Sequence, residues 1–373
     1  VTPRHLSFRN LEALRGFLAV YVAIGHARWL LWGGHAAWLA SAYQPWEIVP
    51  AYASAAFRYG REAVMVFFVL SGFFIHYHAA SPTPPSRPFK STTFYRRRWH
   101  RLAPPYFFAL AVTILCDAIG RAWWPTLYLS RTGDALIDQT FDRGGYAAAS
   151  VLPALIVLPS SLGRDFGSNG PLWSLGFEAI YYALYPAWLW LRRRSAVAAF
   201  GVIPLGCFAL TFLPISAFLL TVLMHYPIWL AGAFVAERLR AAGIGPRLPP
   251  AAAGLFLGGA VLHVMSQALL PALIAALMFG SGAVLFCATT QTRNTISAAA
   301  EFFGFRSYTI YAVHFPLLTL ISAYVFHTYG ERPLHGWLAV LGATVAVGFG
   351  CLCFEACERH FLHSRYRDES AAP

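Results

Sequence analysis

Charged residues are scarce in this sequence: Asp, Glu, Lys and Arg make up 12% of its 373 residues, against 58% that are hydrophobic. A soluble domain of this length needs far more charge to cover its surface, so that class is excluded. The regular apolar–polar alternation of a transmembrane barrel is also missing, which leaves helices as the spanning structure. The first apolar run holds Arg15 and His26 and lacks a small-residue cleavage site, so no cleavable signal peptide is expected. No internal repeat of the inverted-transporter kind and no low-complexity tract is visible. Metal-ligand patterns are absent too. The six cysteines fall in or beside apolar runs, Cys353 and Cys357 lack the rest of a zinc set, and His76 and His78 point to different helix faces. No metal is therefore expected, and the cysteines read as small apolar residues. No Gly-x-Ser-x-Gly elbow is present, so Ser71 is not a candidate nucleophile.

What remains is a succession of apolar runs, most of them long enough to cross a hydrocarbon core of about 30 Å at about 1.5 Å per helical residue. The expected fold is all-α, a polytopic membrane bundle with spans at 11–31, 62–79, 103–120, 172–191, 196–213, 222–240, 251–268, 271–290, 307–327 and 336–357. Pro227 interrupts the sixth. Segment 146–162 is apolar but broken by Pro153 and Pro159, so it is expected to lie on the surface or re-enter.

The formal charge of +12 would suggest nucleic acid in a soluble protein, but here the arginines fall in short stretches between apolar runs, and topology accounts for them. Placing the N-terminus inside puts Arg4, Arg9, Arg87, Lys90, Arg96 to Arg98, Arg101, Arg192 to Arg194, Arg238, Arg240, Arg247, Arg293, Arg306, Arg359, Arg365 and Arg367 on the cytoplasmic side. On the other side Arg121, Arg131, Arg143 and Arg164 are matched by Asp134, Asp138, Asp142 and Asp165. About ten spans with both termini inside satisfies every loop. One membrane domain over 1–367 is expected, with a tail at 368–373, a linker-like loop at 80–90 and no soluble C-terminal domain.

Ionisable groups inside spans are costly and tend to mark function or buried pairing. Arg15 and His26 are eleven residues apart, about 20° apart on one helix face. Arg15, near the cytoplasmic end, is placed to bind an anion entering from that side. His26 lies roughly 22 Å up, where a tunable imidazole suits general-base work. The bland alternative is an Arg15 that snorkels and pairs with Glu12, beside a satisfied core histidine. The fourth span descends from outside through Trp173, Ser174 and Glu178, and brings Glu178 to nearly the depth of His26. A carboxylate there would fix the tautomer of His26 and stabilise its imidazolium; the alternative is a charge-neutralising packing pair. Ser71-Gly72 in the second span permits close helix approach. Arg97, Arg98 and Arg101 form a cluster suited to phosphate forks or to anionic lipid. Ser307, Tyr311 and His314 share a face of the ninth span.

In order along the chain, Leu14-Arg15-Gly16 ten residues before Gly25-His26, Phe67-Phe68-Val69-Leu70-Ser71-Gly72-Phe73, Arg97-Arg98-x-x-Arg101-Leu-x-Pro104, Trp173-Ser174-Leu175-x-x-Glu178 and Tyr311-x-x-His314-x-Pro316 resemble the membrane-bound acyltransferase-3 family. The resemblance implies an O-acyltransferase that uses acyl-CoA, acetyl-CoA foremost, as cytoplasmic co-substrate. The acceptor it implies is a hydroxyl of a saccharide, lipid or other envelope or secondary-metabolite molecule. It implies a multi-pass protein of the bacterial inner membrane with no nucleic-acid partner. Arg15 and His26 match the family's essential pair, with Glu178 as third catalytic residue. Arg97, Arg98, Arg101, Ser71, Tyr311 and His314 are expected on the donor side, Trp173 and Ser174 on the acceptor side. This chain has Met65 where many members carry an acidic residue, with Glu62 three residues earlier. A transporter or flippase for a lipid-linked sugar or drug, and a scaffold in which buried charges only set packing, are the rival readings.

Overall fold

The computed structural model describes residues 7–34, 48–80, 89–242, 248–266, 269–290 and 294–359. Arg4, Arg87, Arg247, Arg293, Arg365 and Arg367, most of the 80–90 loop and the 368–373 tail lie outside the described residues. The described residues are 83% helical and nearly strand-free, as an all-α membrane bundle requires. The longer elements are α1 (Phe8–Leu31), α2 (Ile48–Ser54), α3 (Gly60–His76), α4 (Ser91–Trp123) and, after the single turn α5 (Pro125–Tyr128), α6 (Ala135–Phe141) and α7 (Ala148–Leu155). They continue with α8 (Trp173–Arg194), α9 (Ile203–Leu210), α10 (Ala217–Ala242), α11 (Leu248–Met265), α12 (Leu269–Thr289), α13 (Thr295–Tyr329) and α14 (Trp337–Cys357). A parallel pair of two-residue strands, β1 (Gly144–Gly145) and β2 (Asp165–Phe166), sets Gly144 opposite Asp165.

Among the described residues, six helical stretches are long and apolar enough to cross a membrane: Ile48–His76, Ser91–Trp123, Ala217–Ala241, Leu270–Thr289, Thr295–Tyr329 and Trp337–Cys357. Ala198–Leu210 and Pro249–Met265, at the expected fifth and seventh spans, are shorter apolar helices. α1 and α8, of 24 and 22 residues, carry Arg15, His26 and Glu178. Pro227 does not break α10, which runs through it for 26 residues. A membrane helix tolerates the one lost backbone bond because neighbouring groups re-satisfy the freed carbonyl. α7, the helix within segment 146–162, has eight residues and is too short to span at about 12 Å. α4, with 33 residues, is about 50 Å long, so its basic N-terminal turns extend past an apolar core of about 30 Å.

Local chemistry sets the helix ends. Ser7 Oγ accepts the Asn10 N–H (3.3 Å) and caps α1. Asn294 and Ser297 exchange backbone-to-side-chain bonds (3.0 and 2.8 Å) at the start of α13, and Gly330 at φ +76° ends it.

The chain forms two compact units, and each is built from three separate segments. The first comprises residues 1–18, 61–95 and 177–304. One close helix crossing in it joins α3 to α10: a Cβ on Gly72 would sit 1.9 Å from the Trp229 carbonyl oxygen, and one on Gly232 1.9 Å from that of Val69. The Ser71-Gly72 pair thus does what its small size suggests, and two backbones touch where only glycine fits. The second unit comprises 19–60, 96–176 and 305–373. Its core gathers Ala27, Leu30 and Leu31 of α1, Phe315 and Leu318 of α13, Ala339, Ala343 and Ala346 of α14, and Leu127, Ile137 and Phe141.

Candidate active site

Within the second unit, α1 and α13 bring two histidines together. His26 Nδ1 lies 2.7 Å from His314 Nε2, with the rings parallel and their centroids 5.0 Å apart. His314 Nδ1 faces the Ile310 carbonyl at 3.1 Å. A carbonyl only accepts, so in the neutral pair His314 carries its hydrogen on Nδ1 and accepts at Nε2. His26 must then donate from Nδ1, which leaves its Nε2 lone pair bare. Phe315 sets its edge to His26 at 5.0 Å and Trp29 does so at 6.3 Å, giving the ring an aromatic enclosure. His314 is fully buried, and His26 is half-buried.

The Tyr311-x-x-His314-x-Pro316 spacing has a local cause. Pro316 has no N–H, so the carbonyl of Ala312, four residues earlier, loses its helical donor. The Asn169 side-chain amide supplies one instead, donating to Ala312 O and to Thr113 Oγ1 at 3.0 Å each. Asn169 is 1% exposed, and its Oδ1 has no partner among the described residues. Nearby, Ser174 Oγ and Tyr311 Oη lie 2.7 Å apart, and both also reach the Pro171 carbonyl, at 3.2 and 3.1 Å. Ser174 and Tyr311, assigned from sequence to acceptor and donor sides, are therefore in contact. Trp173, half-buried, begins α8 beside them.

Sequence reasoning missed Asp117. It is fully buried and accepts from the Ser168 N–H (2.8 Å), the Ser168 hydroxyl (2.6 Å) and the Tyr146 hydroxyl (2.8 Å). A buried carboxylate is costly unless its lone pairs are filled, and three donors fill them here. Gly167, at φ +54°, makes the approach possible, since a Cβ there would lie 2.4 Å from Asp117 Oδ2. The signal was available: Asp117 is an acidic residue inside the apolar run of α4.

Glu178 belongs to the first unit. It accepts from Ser71 Oγ at 2.7 Å and from the Tyr182 hydroxyl, and the Trp229 indole N–H donates to Ser71 Oγ at 3.2 Å. Among the described residues its hydrogen-bond partners are thus Ser71 and Tyr182, while that of the His26 ring is His314. Arg15 Nη1 donates to both Glu12 oxygens at 3.1–3.2 Å, the intrahelical pair that the bland alternative describes. Glu62 lies 3.2 Å from His263 Nε2. His76 has both ring nitrogens engaged, at 3.0 Å from Tyr185 Oη and 2.9 Å from Glu237 Oε1, and Arg192 grips Glu237 through two 2.7 Å bonds. Arg97, Arg98 and Arg101 stand at helical spacing in the second unit's part of α4, Arg97 exposed and the other two half-buried.

A family model described as an acyltransferase domain matches residues 8–355. The protein named acyltransferase MdmB, from Streptomyces mycarofaciens, is 30% identical over 143 residues. That stretch covers 37% of this chain and 30% of the relative, so under a third of the relative's length is matched. No solved structure gives a significant match.

Proposed function

This chain belongs to the acyltransferase-3 family, and from that premise we propose that it moves an acyl group, acetyl foremost, from acyl-CoA to an acceptor hydroxyl. The observation that carries the chemistry is the His26–His314 pair, whose hydrogen bonds leave His26 Nε2 free to take a proton. The acceptor oxygen attacks the thioester carbon as its proton passes to His26 Nε2. The carbon–sulfur bond then breaks, and the CoA sulfur leaves with that proton. The ester and free CoA thiol are the products, and His26 returns to its starting state. His314 accepts from His26 Nδ1 throughout, which supports it in the orienting role that sequence spacing gave to Glu178.

Arg97, Arg98 and Arg101 would hold the CoA phosphates, since guanidinium forks match phosphate oxygens, and Arg15 would draw the donor inward once its pairing with Glu12 opens. Trp173, Ser174 and Tyr311 would shape the space around the reacting carbonyl. This chemistry suits a bacterial inner-membrane protein of about ten spans with both termini inside, the donor arriving from the cytoplasm.

The test is purified protein with labelled acetyl-CoA and a hydroxyl acceptor, with free thiol and labelled ester both measured. His26→Ala is expected to abolish transfer while expression persists. Near-normal transfer by that variant, or wild-type protein that moves an acceptor across a vesicle without releasing thiol, overturns the proposal.

A further inference from the structure

The helix that carries His26 is held at its end by groups from other elements. Trp29 and Leu30 lie in the last turn of α1, where a helix runs out of backbone donors for its carbonyls. Arg332, in the loop between α13 and α14, donates from Nη1 to the Trp29 carbonyl at 2.9 Å. The Ser322 hydroxyl of α13 donates to the Leu30 carbonyl at 3.0 Å. Beside them the Gly33 N–H donates to the Pro333 carbonyl (2.9 Å), and the Trp32 indole N–H to the Leu334 carbonyl (2.6 Å). The other arm of Arg332 grips Asp134, with Nη2 at 2.6 Å from Oδ2. Asp134 Oδ1 is the N-cap of α6, where it accepts from the Leu136 and Ile137 N–H groups (3.1 and 3.4 Å). One guanidinium thus ties the end of α1 to the start of α6, all within the second unit.

We propose that Arg332 is a positioning residue for the transfer reaction, its fork fixing the height of α1 so that His26 Nδ1 meets His314 Nε2; this rests on the acyl-transfer reading above. Trp29 follows His26 by three residues, about 4.5 Å along the same helix, so a hold on the Trp29 carbonyl is a hold on the imidazole. His314 stands on α13, the helix whose Ser322 grips the next carbonyl of α1. The His26–His314 contact is 2.7 Å, and a slide of about 1 Å in the direction of the bond takes it past hydrogen-bond length. His26 then loses the acceptor that keeps its hydrogen on Nδ1, and its bare Nε2 is no longer guaranteed. A guanidinium suits the task because its planar fork engages two acceptors at a fixed angle, which an ammonium does not. Its charge also lies at the negative end of the α1 dipole. The side chain is 15% exposed, so water competes little for these bonds.

The test reads the imidazole directly. Protein carrying isotopically labelled histidine is examined by NMR in nanodiscs, with His26→Gln identifying the His26 Nδ1–H resonance. Arg332→Gln is expected to shift or broaden that resonance. The His314 Nδ1–H, bonded within its own helix to the Ile310 carbonyl, should stay in place. In acetyl-CoA-dependent thiol release, kcat should fall about tenfold to a hundredfold with the acetyl-CoA KM unchanged. Arg332→Lys keeps the charge without the fork, and should recover melting temperature more than kcat. If Arg332→Gln fails to fold, Asp134→Asn carries the test, since it keeps the α6 cap and a neutral bond to Arg332; it should lower kcat several-fold and move the same resonance. Wild-type kcat with an unmoved His26 resonance in the variant that folds, or a change confined to KM, overturns the proposal. So does parallel loss of both histidine resonances, which would mean that Arg332 holds the unit together and nothing finer. A His26 resonance that moves as expected in a protein whose wild type releases no thiol would instead sink the acyl-transfer reading and leave the clamp standing.

Discussion

The Asn169 side chain fills the hydrogen-bonding vacancy that Pro316 creates, by donating to the Ala312 carbonyl at 3.0 Å. A helix defect in α13 and a loop residue before α8 are thus a single device. It fixes the backbone next to His314 to the segment that presents Ser174.

This pairing predicts non-additivity. Asn169→Ala strands a buried carbonyl and is expected to cost about 1–3 kcal/mol, read as unfolding in detergent. In a Pro316→Ala background the restored N–H serves Ala312, and the cost of the same change should shrink. Equal costs in the two backgrounds would reject the coupling.

His314→Phe keeps a flat ring beside His26 but cannot accept its Nδ1 hydrogen. The expected loss in kcat is about tenfold to a hundredfold, with melting temperature and acetyl-CoA KM near wild type. Wild-type kcat would remove His314 from the proposed proton economy.

The α3–α10 crossing predicts a sharp contrast between glycines. Gly72→Ala places a methyl against the Trp229 carbonyl and should destabilise the first unit by about 3 kcal/mol. Gly206→Ala, in α9 with open space around its Cβ, should be neutral or stabilise by about 0.5–1 kcal/mol. Comparable melting temperatures for the two variants would refute the backbone contact.

Asp165, in the loop before α8, gives a pH signature. Burial raises its carboxyl pKa above the ordinary value, although the Ser160 hydroxyl and Arg143 pull it the other way. The folded protein therefore keeps this proton to higher pH than the unfolded chain does. Stability should fall as pH rises from about 4 through the raised value. Asp165→Asn retains an acceptor for Ser160 and should be more stable than wild type at pH 7, with a flatter melting profile between pH 4 and 7. An unaltered profile would show that the carboxyl contributes nothing.

The helices were legible because apolar run length is a local property of the chain. Nearly every expected span has a helix within a few residues of it, and Pro227 was over-weighted because one lost backbone bond does not end a 26-residue helix. Buried pairings were less legible. Helix periodicity put Ser307, Tyr311 and His314 on one face of α13 but could not show that His26 meets His314. That contact depends on which helices pack side by side. Asp117 and Asn169 were visible as polar residues, yet their role needs the turn at Gly167, whose left-handed backbone no hydropathy pattern encodes.

The interleaving of the two units has a consequence for biosynthesis. Each unit needs three stretches of chain, and the first cannot be completed until residues up to Gly304 have left the ribosome. The second must wait for the stretch that follows. Early helices are inserted long before their final neighbours exist, so the half-made protein holds His26 in the membrane until His314, 288 residues later, is made. No single cut in the gene separates one unit from the other. Fragments joined from two relatives should therefore produce working hybrids only when several exchanges are made at once.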